Sequence, residues 1–289
     1  MSKTILVTGA SRGIGLLTVK TLITKGHHVF AAIRDIKGRN AKVVSELNEF
    51  ASNNNDLLNI VEIDVTNEKS VITGIESAEM IKPIDVLINN AGVMPVGLTE
   101  AFTIDDFQSC LDINLLGPAR MMRAALPYMR KRNSGLFINI SSNAGRVAIP
   151  FFGVYCASKW ALEGYAESLN YELENYGIQS IIVEPGGHGT DLVVTAPSPS
   201  DQKVLSEYGD YSNGRSRLLQ MFKGMFDQKE PATDAQNIAN KILALVEMDG
   251  ERPIRTTVGH DMGIQKINEP TVEVQKELVN MLRPVINGN

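Results

Sequence analysis

Short apolar segments rich in β-branched residues alternate along the chain with longer segments of helical periodicity. This alternation is typical of a parallel sheet whose strands are joined by crossover helices. Runs such as Ile5-Leu6-Val7 and Ile181-Ile182-Val183 contain no polar residue, which indicates strands buried on both faces. We therefore predict an α/β fold with a Rossmann-like, doubly wound parallel sheet of about seven strands and helices on both faces. The predicted strands cover 4–8, 29–33, 58–63, 86–89, 136–141, 180–184 and 253–258, and the predicted helices begin near Gly13, Arg39, Glu68, Ile104, Gly153 and Asp234.

Two segments depart from this rhythm. The first half of residues 190–231 contains Pro197, Pro199 and several serines, and an amphipathic run from Leu218 to Phe226 follows. This pattern predicts an inserted lid. Residues 259–289 form a C-terminal extension, and its amphipathic stretch 271–282 indicates either a docked helix or a mobile end. Residues 1–289 are thus expected to form a single domain with a lid and a C-terminal extension.

Composition and charge exclude several classes of protein. A chain of 289 residues with 43% hydrophobic and 21% charged residues is typical of a globular domain with a sizeable core. Its 28 basic and 33 acidic residues give a net charge of −5, which argues against coating nucleic acid or anionic membranes. The N-terminal apolar run is too short for a signal peptide or a membrane span, so we expect a cytoplasmic protein. Cys110 and Cys156 lack disulfide or metal-ligand spacing, so we expect two buried thiols and no metal site.

A glycine-rich turn follows the first predicted strand, in the order Thr8-Gly9-Ala10-Ser11-Arg12-Gly13-Ile14-Gly15. Glycines at such a turn let backbone N–H groups and the start of a helix approach a pyrophosphate. The turn alone is weak evidence, because glycine-rich turns also simply connect a strand to a helix. The residues expected to contact a dinucleotide here are Gly9, Ser11, Arg12, Gly13, Ile14 and Gly15.

The end of the second strand bears on which dinucleotide is bound. Ile33 stands where an NAD-binding protein is expected to carry an acidic residue, and Arg34 follows it directly. Arg34 could accept a 2′-phosphate with Arg12 as a second cation, so NADP(H) is favoured while NAD(H) remains possible. Alternatively, both arginines are ordinary surface residues and Asp35 faces the ribose.

Polar or small residues also follow the third and fourth strands. Asp64, which precedes Val65, could hydrogen-bond an adenine or serve equally well as a turn or helix cap. Asn90, Ala91 and Gly92 would allow close passage of a cofactor, although a strand-terminating turn uses the same residues. We include all five as candidate cofactor contacts.

The candidate chemistry lies further along the chain. The fifth strand ends at Ser142, and Tyr155 and Lys159 stand four residues apart on one face of the next helix. A phenol with an ordinary pKa of about 10 is a poor acid-base group at neutral pH. The charge of Lys159 is expected to lower the pKa of Tyr155, an oxidised nicotinamide would act in the same direction, and Ser142 could hold the substrate oxygen. Such a Tyr–Lys pair is often a coincidence, so it is the combination of motifs that points to hydride transfer.

These motifs resemble those of the short-chain dehydrogenase/reductase family. The resemblance runs from about Ile5 to Thr190 and includes TGxxxGxG, the NNAG turn at 89–92, a serine and YxxxK, in that order. Asn114 matches a family asparagine, and Pro185-Gly186-Gly187-His188-Gly189-Thr190 matches the PGxxxT turn, with His188 as a departure that puts the grip of this loop on the nicotinamide in question. Residues 154–164 and the Arg34-Asp35 pair look most like the branch of 17β-hydroxysteroid and retinol dehydrogenases.

The resemblance implies a dinucleotide-binding catalytic domain and a role for each matching residue. The catalytic residues would be Asn114, Ser142, Tyr155 and Lys159. Asn114 would hold a water that links Lys159 to solvent. Tyr155 and Lys159 would also touch the cofactor. Pro185, Gly186 and Thr190 would contact the nicotinamide carboxamide. The helices beginning near Ile104 and Gly153 would form a homodimer or homotetramer.

The resulting hypothesis is an NADP(H)-dependent enzyme that reduces a ketone or aldehyde to an alcohol, or the reverse, with Tyr155 as general acid/base. The alternative is a non-catalytic NADP-sensing protein, which would not need the full set of four catalytic residues. An epimerase or dehydratase is disfavoured by the glycine spacing. An apolar or aromatic substrate is expected, because the residues expected to line the pocket are apolar, although they could instead simply pack the core. They are Val93, Met94, Pro95, Phe151, Phe152, Val193 and some of Leu218, Met221, Phe222 and Met225.

Overall fold

A seven-stranded parallel sheet forms the centre of the molecule, with strand order β3-β2-β1-β4-β5-β6-β7. The computed structural model describes residues 1–228 and 230–286. The Rossmann-like sheet predicted from the sequence is confirmed, and the predicted strand ends differ from the observed ones by two residues at most. The strands are β1 (Thr4–Thr8), β2 (His28–Ile33), β3 (Leu58–Glu62), β4 (Val86–Asn89), β5 (Gly135–Ile140), β6 (Ile178–Pro185) and β7 (Arg255–Val258).

Helices connect the strands and cover both faces of the sheet. The helices that begin at Ala41 and Gln236 start two residues later than predicted. The Asp35 carboxylate accepts a hydrogen bond from Arg39 N (3.1 Å), and the Asp234 carboxylate accepts one from Gln236 N (2.8 Å). Each aspartate therefore holds a turn before its helix. The helices are α1 (Gly13–Thr24), α2 (Ala41–Ser52), α3 (Glu68–Ile81), α4 (Ile104–Leu111), α5 (Gly117–Arg132), α6 (Gly153–Glu172), α7 (Asp191–Val194), α8 (Gln202–Glu207), α9 (Gly214–Asp227), α10 (Gln236–Glu247) and α11 (Gln265–Ile286).

The core has two layers, one on each face of the sheet. Ile5 and Val7 of β1 pack in the layer that includes α1 and α10, whereas Leu6 packs in the layer that includes α3 and α5. Because successive side chains of a strand point to opposite faces, a strand between two helical layers must be apolar throughout. This burial explains why β1 carries no alternation of polar and apolar residues.

The two segments outside the regular alternation are both helical. Residues 190–231 contain α7, α8 and α9. Ile264, directly before α11, and Asn268, in its first turn, are buried, while Val274, Leu278 and Met281 further along α11 are exposed. The start of the C-terminal helix is therefore docked. Cys110 and Cys156 are buried free thiols, as predicted. Among the residues described, no helix combines the length and the apolar character needed to cross a membrane.

Candidate active site

The candidate residues gather at the carboxyl ends of β1 and β4 and of the neighbouring strands. β1 pairs with β2 on one side and with β4 on the other, both in parallel, so the direction in which successive strands are added to the sheet reverses between β1 and β4. Ligands of open α/β sheets bind in the crevice outside the strand ends at such a switch point. The glycine turn, the NNAG turn and Ser142 all lie at this edge.

The glycine turn leaves no room for side chains at two of its positions. Gly9 has φ +64°, and a Cβ there would lie 2.9 Å from Ala91 Cα, while a Cβ on Gly15 would collide with Gly9 O. The Asn90 side-chain amide donates to Thr8 O at 2.9 Å and to Gly9 O at 3.3 Å. Asn90 thus braces the glycine turn, whose backbone is held in a fixed shape.

The first turn of α1 offers unpaired backbone donors to an anion. Arg12 precedes the helix in an extended conformation, and neither a capping side chain nor an acidic residue occupies that first turn. The N-terminus of a helix carries a partial positive charge and free N–H groups, which suit a phosphate. The backbone of Gly13, Ile14 and Gly15 can therefore hold a pyrophosphate.

The ends of β2 and β3 bring two arginines to Asp64. The Asp64 carboxylate accepts hydrogen bonds from Thr66 N (3.0 Å) and the Thr66 hydroxyl (2.7 Å). Burial opposes its ionisation, but these bonds and the charges of Arg34 and Arg39 together lower the pKa of Asp64. Asp35 turns its carboxylate towards Arg39, with 3.7 Å between Oδ2 and Nε. Arg39 is a cation near the predicted adenosine site that sequence reasoning missed, since it lies beyond the expected strand end.

The loop after β6 closes on the glycine turn from the other side. A Cβ on Gly13 would lie 3.8 Å from Thr190 Cβ, and Gly186 N donates to Val258 O at 2.9 Å. The buried His188 donates from Nδ1 to Gly186 O at 2.9 Å, so the unusual histidine fastens the loop to itself. The side chain of Phe226 in α9 covers the loop, 3.6 Å from the position of a Cβ on Gly187.

Tyr155 is enclosed more fully than the sequence indicated. Its side chain is only 5% exposed and packs in an apolar cluster with Ala144, Phe152 and Cys156. Burial raises the pKa of Tyr155 to about 12, and a hydrogen bond with Ser142 opposes this rise only in part. The expectation of a lowered pKa for Tyr155 is thus wrong for the chain by itself, because loss of solvent around the phenol is the largest influence on this pKa. Lys159 Nζ lies 5.8 Å from the ring centroid.

Lys159 and Asn114 meet beside Gly92. Lys159 is 5% exposed, Nζ donates to Ile140 O at 2.8 Å, and burial lowers the pKa of Lys159 to about 8. Asn114 lies in a π-helical turn, Asp112–Leu116, between α4 and α5, and its amide donates to Val93 O at 2.8 Å and Ser158 Oγ at 2.9 Å. Such π-turns are frequent at functional sites. A Cβ on Gly92 would lie 3.3 Å from Asn114 Oδ1 and 3.8 Å from Lys159 Nζ.

The two serines at the end of β5 have different partners. Ser141 is buried and donates to Glu163 Oε1 at 2.6 Å, so its hydroxyl is engaged away from Tyr155. Ser142 accepts a hydrogen bond from Ala144 N at 3.2 Å, and its hydroxyl acts on the Tyr155 phenol by lowering the pKa of Tyr155. Ser142 is therefore the serine placed beside the phenol, in agreement with its position in the motif.

Apolar residues of the lid segment pack against the cluster that contains Tyr155. Met94, Phe151, Leu218 and Phe222 pack against the Tyr155 cluster, whereas Val93 packs in a separate cluster with Phe102 and Cys110. A cavity adjoins this cluster, and its volume of about 360 Å³ is within the size range of small-molecule sites. It is lined by Ile149, Pro150, Phe151, Gly214, Arg217, Leu218 and Met221.

A family model described as short chain dehydrogenase matches residues 3–200, more than half of the chain. The chain belongs to the short-chain dehydrogenase family. As a member it is an oxidoreductase, which agrees with the resemblance seen in the motifs.

Curated relatives of this dehydrogenase carry different names. It is 33% identical to a 3-ketodihydrosphingosine reductase of Bacteroides thetaiotaomicron, covering 88% of this chain and 87% of the relative. It is 33% identical to retinol dehydrogenase 8 of Bos taurus, over 75% of this chain and 72% of the relative. It is 35% identical to 17-beta-hydroxysteroid dehydrogenase type 1 of Mus musculus, over 63% of this chain and 53% of the relative. The likeness to the retinol and 17β-hydroxysteroid dehydrogenases agrees with the branch that the motifs indicated.

Solved structures share the fold of this dehydrogenase over nearly its whole length. A short-chain dehydrogenase from Streptomyces avermitilis has a TM-score of 0.76 at 26% identity, covering 100% of this chain and 98% of the other. The structure of ElxO with NADP bound has a TM-score of 0.71 at 24% identity and covers 92% of this chain and 100% of its own. A relative from Burkholderia phymatum in complex with NAD gives 0.74 at 21%, covering 95% of each chain.

Proposed function

We propose that this dehydrogenase is an NADP(H)-dependent reductase of apolar ketones or aldehydes, reversible as an alcohol dehydrogenase. The observation that carries the proposal is the placement of Ser142, Tyr155, Lys159 and Asn114 beside a rigid glycine turn, at the switch point of the sheet. A protein that only sensed the dinucleotide would have no use for this set of proton-transfer groups.

Each residue of the set has a distinct task. When bound, a reduced nicotinamide supplies hydride to a carbonyl carbon. Tyr155 has a pKa of about 12, so its phenol keeps its proton at neutral pH and can donate it to the substrate oxygen. Ser142 holds that oxygen, and the ammonium of Lys159 stabilises the phenolate that proton donation leaves behind. Asn114 fixes the path by which a proton from solvent reaches Lys159 and, through Lys159, restores the Tyr155 phenol.

The residues present fit a dinucleotide. The glycine turn is folded so tightly that a Cβ on Gly15 would collide with Gly9 O, and the first turn of α1 presents free N–H groups. Ser11 and Arg12 would join them at the pyrophosphate, Asp64 and Val65 would flank the adenine, and Ala91 would touch the backbone of the cofactor. Pro185, Gly186 and Thr190 would hold the carboxamide.

We expect Arg34→Ala to weaken NADPH binding by about 10- to 100-fold and NADH binding by less than about threefold. The reason is that a charge-assisted bond to a 2′-phosphate contributes about 1.5–3 kcal/mol and NADH has no such phosphate. Dissociation constants from quenching of protein fluorescence measure both. Lys42→Ala is the matched control, because Lys42 is exposed and ion-paired with Glu46. Equal losses for the two dinucleotides would overturn the preference for NADP(H).

The substrate class and the lid follow from the apolar wall beside Tyr155. Residues 190–231 would act as a lid because Leu218 and Phe222 pack on the Tyr155 cluster while Met221 and Met225 are exposed. We also propose a homo-oligomer, supported by exposed apolar side chains on α4 and α6, such as Ile104 and Trp160.

The absorbance of reduced nicotinamide tests the activity directly. With NADPH and a panel of ketones, aldehydes, steroids and retinoids, we expect consumption of NADPH with apolar carbonyl compounds, and slower consumption of NADH. Tight NADPH binding without consumption for any member of the panel would favour a sensor over an enzyme.

A further inference from the structure

The catalytic helix carries a buried row of ionisable residues that extends beyond the proton-transfer set. Tyr155, Lys159, Glu163 and Glu167 stand at spacings of four residues in α6 and are all buried. Burying an ion is unfavourable unless partners compensate. The reaction accounts for Tyr155 and Lys159, whereas the two glutamates need another explanation.

Glu163 connects the catalytic helix to the strand end that carries Ser142. Its side chain is 2% exposed, Oε1 accepts from Ser141 Oγ at 2.6 Å, and Oε2 accepts from Arg255 Nε at 3.2 Å. A Cβ on Gly145 would collide with Oε1, so the turn after Ser142 packs directly on this carboxylate. Both oxygens of Glu163 are therefore satisfied, one of them by the neighbour of Ser142.

The groups around Glu163 leave it ionised. Arg255 also pairs with Glu167 (Nη2 to Oε2, 2.6 Å) and approaches Glu184 Oε1 at 3.6 Å, and Arg146 Nε lies 3.9 Å from Glu163 Oε2. Burial raises the pKa of Glu163, and burial together with the charge of Glu163 raises the pKa of Glu184 to about 7. Both oxygens of Glu163 accept hydrogen bonds from donors, whereas Glu184 Oε1 has no hydrogen-bond partner among the described residues, so the geometry favours the carboxylate form at Glu163.

Few groups counteract the burial of Lys159. The groups facing it are the Tyr155 phenol and Glu163 on its own helix and the Cys110 thiol on α4, and the charges of Cys110 and Glu163 raise the lysine pKa. Burial raises the pKa of Cys110, so this thiol is neutral at neutral pH. The carboxylate of Glu163 is thus the ionised anion that acts on Lys159.

We propose that Glu163 is a positioning residue for the reaction, whose buried carboxylate keeps Lys159 as an ammonium ion and fixes the strand end that carries Ser142. The inference rests on the proposed function, in which Lys159 must be charged. It makes Arg255, on the last strand, the support of Glu163, and Asn268 joins α11 to the same cluster by donating to Glu184 Oε2 at 2.6 Å.

Three variants separate the charge of Glu163 from its shape. Glu163→Gln keeps the size of the side chain and removes the charge, Glu163→Asp keeps the charge, and Glu167→Gln removes a charge that shares Arg255 one turn further from Lys159. The alkaline limb of the kcat/KM pH profile should move to lower pH by about one pH unit or more in Glu163→Gln, because a carboxylate one helical turn from Lys159 is lost. In Glu167→Gln the alkaline limb should stay within about 0.3 pH units of its wild-type position. In Glu163→Asp it should lie between the positions found for the wild type and for Glu163→Gln. An equal loss of activity at every pH in Glu163→Gln would overturn the proposal.

A second measurement does not depend on activity. The pH dependence of the difference in unfolding free energy between the wild type and Lys159→Met reports the pKa of Lys159 in the folded protein. In the Glu163→Gln background, the pH at which this difference begins to change should shift to lower pH by about one unit or more. An unchanged onset would contradict the role of Glu163 even if the enzyme is active. A shifted onset in a protein that proves inactive would uphold the role and refute the proposed function instead.

Discussion

Tyr155→Phe is expected to lower kcat for carbonyl reduction by about 10³-fold, the scale of general-acid catalysis. The variant loses only the phenolic oxygen, so the apolar cluster around residue 155 keeps its packing. Binding of NADPH should change by less than about threefold, because the glycine turn and the first turn of α1 are untouched. Steady-state kinetics and fluorescence titration measure the two effects separately.

Tyr165→Phe provides a matched control for this experiment. Tyr165 lies on the same helix and is 37% exposed, so the same chemical change there should leave kcat within about twofold. If Tyr155→Phe kept the wild-type kcat, Tyr155 would not be the proton donor. If it abolished NADPH binding as well, the phenol would serve the cofactor site rather than the proton transfer.

Lys159→Met is expected to lower kcat by about 10²-fold and at the same time to stabilise the fold at pH 7 by about 1–3 kcal/mol. The lysine pKa is about 8 in the folded protein against an ordinary value of 10.5, so burying the charged form costs stability below pH 8. Between about pH 8 and 10.5 the unfolded chain binds the proton and the folded chain does not. The wild type should therefore gain stability with rising pH in this window, and the advantage of the methionine variant should shrink.

Urea unfolding at a series of pH values measures this difference, with Lys241→Met as the control. Lys241 is exposed on α10, so its replacement should change the unfolding free energy by no more than about 0.5 kcal/mol at any pH. A difference between wild type and Lys159→Met that stayed constant from pH 7 to 10 would contradict a strongly buried ammonium.

The sequence predicted the fold and the main motifs because both depend on local patterns. The central residues of β1 and β6 are apolar because helices cover both faces of the sheet, and this shows directly in Ile5-Leu6-Val7 and Ile181-Ile182-Val183. The glycines of the first turn and the four-residue spacing of Tyr155 and Lys159 are likewise visible in the chain. Two helix starts differed from the prediction, where Asp35 and Asp234 form turns that periodicity does not reveal.

Features built from distant residues could not be predicted. Arg255 lies 92 positions from Glu163, so their ion pair leaves no signal of spacing. The high pKa of Tyr155 has the same origin, since its surroundings include side chains of the lid as well as neighbours on α6. The π-helical turn at Asn114 breaks a run that reads as one continuous helix from Ile104. In each case tertiary packing decides the property.

Transfer of deuterium from cofactor to product tests the central claim most directly. The wild type and Tyr155→Phe would each be incubated with NADPH deuterated at nicotinamide C4, in either configuration, and a carbonyl compound accepted in the absorbance assay. We predict that mass spectrometry will find deuterium on the carbinol carbon from one configuration only, with about 10³-fold slower appearance in the variant. Tight NADPH binding with no deuterium in any product, or equal rates in the two proteins, would contradict proton donation by Tyr155 coupled to hydride transfer.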